Sequence, residues 1–571
     1  MKGQYMILLN PKQLNRFYPD DKSREIMQKT VQFFENKGKK KLKSDFHERV
    51  WYDDFLGFVK KEKIFSTLLT PTPYGGSDDH RWDTWRNCEF NEILGFYGLC
   101  YWYTWQVSIL GLGPIWMSKN EAAKKMAAKY LEEGEIFAFG LSEKSHGADI
   151  YSSDMMVTDL GNGNFRANGG KYYIGNANKA RMISTFGILD DSNEYVFFVA
   201  DSQNKNFELI KNVVNSQSYV AEFNLQDYAI TDNEILGKGE EAWNSALNTI
   251  NVGKYNLGWA SIGICTHALY EAINHASNRI LYGKYVTDFS QVRQLFIDSY
   301  TRLLSMKLFA LRASDYMRSA SLEDRRYLLY NPMVKMKVTM QGEDVINLLW
   351  DVIAAKGFEK DMYFEIAAID IRALPKLEGT AHVNMALIVK FMANFLFNPK
   401  EYPEIPQCSD AANDDFLFNQ GTTRGLGKIQ FHDYQIAYNS FDLPNISIFK
   451  EQITALKEFL THATPNEKQQ KDIDFLLTLG EIFTLVPYGQ LILENAKIYN
   501  IEESIIDQIF DFMVRDFSKY ALQIYSKPSS TEKQMDYALK MIRKPKENVE
   551  QYNSIWTNHV YALKGIYEMK E

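Results

Sequence analysis

Four cysteines in 571 residues, at positions 88, 100, 265 and 408, are too few and too scattered for a disulfide framework. None stands in a C-x-x-C pair or beside a patterned histidine, so no metal site is expected and a reducing compartment fits. Positive charge is also in short supply, with 64 Lys and Arg against 72 Asp and Glu and a net charge of −8. With no basic excess to neutralise phosphates, nucleic acid is not an expected partner. The one dense basic run, Lys37, Lys39, Lys40, Lys41 and Lys43, reads as a solvated face. The first residues carry no charged-then-apolar leader pattern, which leaves a cytoplasmic location as the expectation. No repeat at fixed period is evident.

What the chain has in quantity is apolar and aromatic surface, at 45% and 14% of residues. That favours large apolar pockets, and the length calls for about three domains at ~100–200 residues each. Residues 93–117 hold no charge and are long enough to span a bilayer. Gly95, Gly98, Gly111, Gly113 and Pro114 break that run, so it reads as two buried helical pieces.

Periodicity divides the chain. Residues 1–135 carry apolar positions at helical spacing, as in 24–34 and 122–131. Over 136–238 the period drops towards two, with strand-like runs at 194–200 and 219–223. Residues 239–397 return to long helical runs at 242–281, 291–318 and 334–355, for which a bundle is the economical packing. A linker marked by Pro399, Pro403 and Pro406 opens the last region, 398–571, which is again helical. The expected fold is mainly α with a central β domain.

Two stretches carry the chemistry. In residues 137–177, Phe137 to Leu141 read as a buried strand and Ser142 to Asp149 as a polar loop. Gly161-Asn162-Gly163-Asn164 then makes a hairpin turn, and Lys171-Tyr172-Tyr173-Ile174-Gly175-Asn176 closes the return strand. Two strand ends that run into small or polar residues can present backbone N–H groups to a flat ligand. Read alone, His146 is a turn residue, Asp149 orders its own loop, and Tyr172 and Tyr173 are core aromatics. The second stretch is Arg372 to Thr380, in which Pro375 ends one helix and Thr380 caps the next, at 381–397. Glu378 lies just ahead of that helix N-terminus, where unpaired N–H groups favour developing negative charge.

Together these stretches resemble the acyl-CoA dehydrogenase family. Ser142 to Asp149 is similar to the family's T-E-P-x-x-G-S-D, and 169–176 to its G-x-K-x-W-I-T-N. Leu377-Glu378-Gly379-Thr380 is similar to Y-E-G-T, whose Glu is the catalytic base in the commonest subgroup. Glu132-Glu133-Gly134-Glu135 stands where the family has its G-E pair. Asn278 to Gly283, with Val286 and Phe289, looks like R-x-x-F-G-x-x-I-x-x-F-Q, and 351–358 sits where Q-x-x-G-G-x-G-F is expected. The likeness covers about residues 1–397.

The resemblance implies a helical N-domain (1–135), a β-barrel middle domain (136–238) and a helical bundle that carries the base (239–397). The region 398–571 is then a linker and an additional C-terminal helical domain, as in the larger members. It implies FAD as cofactor and Glu378 as the base that removes the α-proton of an acyl-CoA thioester. Phe139, Leu141, Ser142, Gly147, Ala148, Tyr173, Ile174, Gly175, Arg279, Tyr282, Asp351, Ala355, Thr380 and His382 are implied around the cofactor. Ala148, Lys254 and Gly379 are implied beside the substrate. A homodimer and an electron-transferring flavoprotein as acceptor are implied partners, and a membrane surface could engage the C-terminal helices. Several positions depart from the family: Ser142 for Thr, Ala148 for Ser, Tyr173 for Trp, Gly175 for Thr or Ser. Lys254 for Arg, Ser290 for Gln, Asp351, Ala354 and Ala355 in the Q-x-x-G-G stretch, and His382 for Gln are the others. An acyl-CoA oxidase, or a non-catalytic interaction module with a decayed flavin site, are the rival readings.

Overall fold

The structure is a computed structural model that describes residues 7–14, 18–147 and 149–571. It is mostly helical with a central β-sheet domain, and the chain forms two compact units. The first comprises Phe17–Asn256, Ser409–Arg424 and Met569–Glu571; the second comprises Met1–Arg16, Leu257–Cys408 and Gly425–Glu568.

In the first unit, helices α1 (Asp21–Glu48), α2 (Asp53–Lys61), α3 (Ile64–Leu69), α4 (Thr84–Tyr97), α5 (Leu99–Met117) and α6 (Glu121–Glu132) precede the strands. Strands follow as β1 (Phe137–Gly140), β2 (Met156–Gly161), β3 (Asn164–Gly175), β4 (Met182–Leu189), β5 (Tyr195–Ala200), β6 (Phe207–Asn212), β7 (Val220–Thr231) and β8 (Ile235–Lys238). Helix α7 (Gly239–Gly253) closes the unit. The uncharged stretch at 93–117 is two buried helical pieces, with Gly98 as the break between α4 and α5. The eight strands make one mixed sheet in the order β6-β7-β3-β2-β4-β5-β8, with β1 added parallel to β4. Where a barrel is expected, the ladder is therefore a path with β6 and β8 at its ends. The β2–β3 hairpin turns on Gly161, Asn162 and Gly163, all at positive φ (81°, 52° and 73°), as the Gly-Asn spelling predicts.

The lysine-rich run in α1 corrects the expectation of a solvated face. Lys37 is nearly buried and pairs with Asp45 at 2.7 Å and Asp54 at 2.5 Å, and Lys43 is buried as well. Acids one and two turns away, and on the next helix, neutralise the run from within the fold; a residue count of basic charge misses them.

The second unit is helical: α8 (Tyr255–Asn278, from residue 257), a small hairpin of β9 (Ile280–Leu281) and β10 (Lys284–Tyr285), then α9 (Ser290–Arg318) and α10 (Tyr327–Met333). Where one helix is expected to run to Leu281, the chain leaves it at Asn278 and turns through Tyr282 and Gly283 at positive φ. A π-helical turn, Val334–Val338, links α10 to α11 (Thr339–Ile353); α12 (Tyr363–Asp370), α13 (Ala381–Ile388) and α14 (Met392–Phe397) follow. Beyond the linker come α15 (Gln435–Tyr438), α16 (Pro444–His462), α17 (Ile473–Ile498), α18 (Glu503–Ser526), α19 (Glu532–Met541) and α20 (Val549–Ile555).

The later helices share a core with the earlier ones. Arg302 on α9 grips Asp516 on α18 through two hydrogen bonds of 2.8 Å, and this buried pair holds the Asp516 carboxyl down at about 2 against the opposing effect of burial. Gly480 on α17 lets α13 approach closely, since a Cβ there would lie 2.3 Å from the Met385 sulfur and 2.8 Å from Val389. Helix α17 is long and apolar enough to cross a membrane by length and composition, and 83% of its apolar window is buried in the fold.

Candidate functional site

The first unit builds a flat, small-residue platform where β1 and β3 end. Strand β1 is buried along its whole length and pairs with β4 from Phe137↔Met182 to Gly140↔Thr185. It delivers Leu141 and Ser142 to the loop, where the Ser142 carbonyl accepts a 3.0 Å hydrogen bond from the Tyr172 N–H. Strand β3 carries a bulge: Tyr172 faces Glu222 and Ile174 faces Ala221, so Tyr173 is the extra residue. A bulge leaves its extra residue out of the ladder and re-aims the side chain. Tyr173 accordingly has φ 66° and is 45% exposed, while the next two residues, Ile174 and Gly175, are buried. A non-glycine residue held at positive φ costs about 1–3 kcal/mol and marks places where structure serves function.

Asn176 pins this arrangement. Its Nδ2 donates to the Thr104 carbonyl at 2.9 Å and the Phe137 carbonyl at 3.0 Å, tying the end of β3 to α5 and β1.

The loop after β1 is clasped by a buried ion pair. Lys171 Nζ lies 2.6 Å from Glu143 Oε1 and donates to the Leu141 carbonyl at 3.1 Å. Burial pushes the Lys171 ammonium down to about 8, and Glu143 opposes the shift. Burial favours the neutral form of Glu143, but Lys171, the Asp154 N–H and Ser153 outweigh it and hold the carboxyl below its usual range.

Glu143, His146 and Asp154 bring three ligand atoms within 4.8 Å of one another. Glu143 is already engaged by Lys171, Ser153 and two backbone N–H groups, so the cluster reads as the clasp itself. His146 faces Asp154 at 2.9 Å, which raises its pKa above the ordinary histidine value. That pairing is present below about pH 6.5 and is lost as pH climbs through the raised folded value. In a proton NMR titration, the His146 ring should titrate above a free imidazole, and Asp154→Asn should bring it back. Asp149 orders its own loop as expected, accepting from the Tyr151 N–H and the Ser152 hydroxyl.

The second unit holds Glu378. Glu378 (φ 52°) and Gly379 (φ 80°) are left-handed in succession, a conformation glycine adopts readily and glutamate does not. Thr380 caps α13 by accepting from the Val383 N–H at 3.4 Å, as its position predicts. Asn384 Nδ2 reaches back to the Gly379 and Thr380 carbonyls at 3.1 and 3.0 Å. Lys335 Nζ donates to the carbonyls of Pro375 at 2.7 Å and Gly379 at 2.5 Å. The loop is thus fixed at both ends while Glu378 itself is half-buried.

The other sequence-selected residues are distributed as follows. Phe139 is buried at the end of β1, and Gly147 (φ 55°) is exposed in the loop; Ala148 lies outside the described residues. Lys254 is buried between α7 and α8. In the second unit, Arg279 opens the β9–β10 hairpin and Tyr282 tips it at 96% exposure. Asp351 and Ala355 are exposed at the end of α11, and His382 is exposed on the first turn of α13. Four groups with clear roles were not singled out from sequence: Lys335, Tyr103, and the Lys171 and Asn176 side chains. Only the last two fall within a quoted motif.

Residues 240–393 match the sequence model of the family "Acyl-CoA dehydrogenase, C-terminal domain". That match spans Glu378, Gly379 and Thr380. The chain is a relative of the acyl-CoA dehydrogenases. It is 26% identical over 283 residues to a short-chain specific acyl-CoA dehydrogenase of Megasphaera elsdenii, covering 47% of this chain and 73% of that one. It is 23% identical over 384 residues to the CarC subunit of a caffeyl-CoA reductase–Etf complex of Acetobacterium woodii, covering 62% and 97%. The crystal structure of an acyl-CoA dehydrogenase complexed with FAD from Bacillus anthracis superposes with a TM-score of 0.72 at 15% identity, over 97% of both chains. That last likeness shows the fold, and it extends through the helices after residue 400.

For an acyl-CoA dehydrogenase relative, the departure at Gly175 has a physical reason. A Cβ at 175 would meet Tyr103 Cε1 and Val107 Cγ2 at 2.7 Å and the Tyr103 hydroxyl at 2.9 Å. Tyr103 and Val107 of α5 therefore fill the space that a side chain at 175 would need. Gly175→Thr should destabilise the protein by about 1–3 kcal/mol through overpacking. Urea denaturation should show that loss, and Tyr103→Ala in the same chain should relieve most of it.

Proposed function

We propose that the chain is an FAD-dependent acyl-CoA dehydrogenase that desaturates an acyl-CoA thioester between Cα and Cβ. The observation that carries this reading is Glu378, held left-handed in a clamped loop ahead of a helix N-terminus. The platform fits a flat cofactor: an exposed aromatic on a bulge, a neighbouring glycine, and the Leu141–Ser142 backbone. Phe139, Leu141, Ser142, Gly147, Tyr173, Ile174, Gly175, Thr380 and His382 would hold FAD, with Arg279, Tyr282, Asp351 and Ala355 serving its adenosine end across a dimer. When bound, FAD supplies the two-electron acceptor for the hydrogen that leaves Cβ.

The chain's own residues do the rest. The thioester carbonyl accepts a hydrogen bond from the Glu378 N–H, which acidifies the α-proton. The Glu378 carboxylate takes that proton as general base. The apolar wall of α5 excludes water from the acyl chain. The exposed apolar hairpin, with Ile280, Tyr282 and Tyr285, supports a homodimer, because such surface asks for cover. An electron-transferring flavoprotein is the proposed acceptor, a reading favoured by the Etf-complex relative.

The test is anaerobic mixing of the FAD-loaded protein with butyryl-, octanoyl- and palmitoyl-CoA. The reading requires bleaching of the flavin and formation of the matching 2-enoyl-CoA. A protein that binds no FAD, or FAD that none of these and no branched or aryl thioester bleaches, would remove it. Peroxide release in air at the turnover rate would identify an oxidase instead.

A further inference from the structure

We propose that Lys335 is the residue that positions Glu378. Lysine is almost never fully buried without partners, and Lys335 is 0% exposed. It sits on the π-helical turn Val334–Val338, where one extra residue shifts the register of an otherwise continuous helix. π turns of this kind recur at functional sites. Here the turn sends the lysine out of the helical run to the two carbonyls that bracket Glu378, those of Pro375 and Gly379.

The loop between those carbonyls contains Lys376, Leu377 and Glu378. Lys376 and Leu377 form a turn, with N–H groups that both donate to the Ala373 carbonyl, at 2.9 and 3.1 Å. Glu378 and Gly379 then run left-handed against the preference of a glutamate backbone. Without an external hold, that pair would relax towards ordinary φ and swing both the carboxylate and the 378 N–H. Two hydrogen bonds from one ammonium fix the start and the end of the segment at once. An ammonium is suited to this task, because it offers several donors in freely chosen directions, where a planar guanidinium does not. Asn384 holds the same Gly379 carbonyl from the other side, so this oxygen is gripped by two donors. Through these two carbonyls Lys335 acts on the backbone that carries Glu378.

This inference rests on the dehydrogenase reading for its catalytic readout, and has a second readout that does not. In the full-length FAD-loaded protein, Lys335→Met should slow flavin reduction by the best of the three acyl-CoA thioesters on the order of 10²-fold. FAD content and affinity for the matching 2-enoyl-CoA should stay at wild-type values, because the lesion is in orientation. In Lys335→Ala, added alkylammonium ions should restore part of the rate, with butylammonium better than methylammonium. Independently, hydrogen–deuterium exchange of the peptide spanning residues 375–384 should accelerate at least about tenfold in Lys335→Met, as a lost clamp requires.

Wild-type reduction rates in Lys335→Met, or unchanged exchange in 375–384, would overturn the proposal. So would a rate loss that tracks loss of FAD or enoyl-CoA binding, which would make the lysine a general structural prop. Should the methionine variant not fold, Lys335→Gln carries the same comparisons with one short donor left. If the wild-type protein bleaches with no thioester, the desaturation reading fails and the exchange measurement alone decides the role of Lys335.

Discussion

Glu378→Gln is expected to keep FAD at wild-type stoichiometry and to slow anaerobic flavin reduction by acyl-CoA by about 10²–10⁴-fold. The substitution preserves size, the backbone and the N–H at 378, so the carbonyl contact persists. What it removes is the carboxylate proposed to take the α-proton, since an amide is not a base at neutral pH. The loop itself should be undisturbed, because its clamps are backbone carbonyls held by Lys335 and Asn384 and the Thr380 cap. A variant that loses FAD as well as reduction would instead place Glu378 in folding or cofactor retention. Stopped-flow absorbance of the flavin separates the two outcomes.

Lys171→Met is expected to cost about 3–5 kcal/mol of stability, because it leaves the Glu143 carboxylate buried without its counter-charge. Glu143 is nearly inaccessible, with a side-chain exposure of 3%, and retains only Ser153 and two backbone N–H groups as partners. The Leu141 carbonyl loses its lysine donor in the same step. Since this carbonyl belongs to the platform at the end of β1, the loss should loosen the loop as well as the fold. Removing both charges, with Lys171→Met and Glu143→Leu together, should recover much of the stability but not the loop geometry. Urea midpoints of the single and double variants measure the first effect; FAD affinity measures the second.

Much of the fold could be read from spelling because local signals agreed with tertiary structure. Gly161 to Asn164 can form a tight turn, and Gly98 argues against one continuous membrane helix, so hairpin and buried helices follow, although Pro114 lies within α5 and does not break it. Thr380 reads as a cap from its place before an apolar run, and it is one. The site was less legible wherever function depends on residues far apart in sequence. Lys335 stands in an apolar segment 43 positions before Glu378 and becomes visible as its partner only once the π turn is seen. Gly175 reads as a lost hydroxyl until Tyr103 and Val107, on another element, are found to fill the space a side chain there would need. The basic run in α1 reads as solvated until Asp54, on the next helix, folds over Lys37. Positive φ at Tyr173, Tyr282, Ala354 and Glu378 adds a signal that no residue count contains: all four fall in or beside motifs chosen on other grounds.

The central claim is that Glu378 removes a proton from Cα, and it can be measured apart from any electron transfer. 3,3-Dimethylbutyryl-CoA has hydrogens on Cα and none on Cβ, so it cannot be desaturated. Incubated with the FAD-loaded protein in D₂O, it should take up deuterium at Cα by mass spectrometry, and Glu378→Gln should abolish that uptake. Deuterium incorporation at equal rates with the wild type and the glutamine variant would contradict the account.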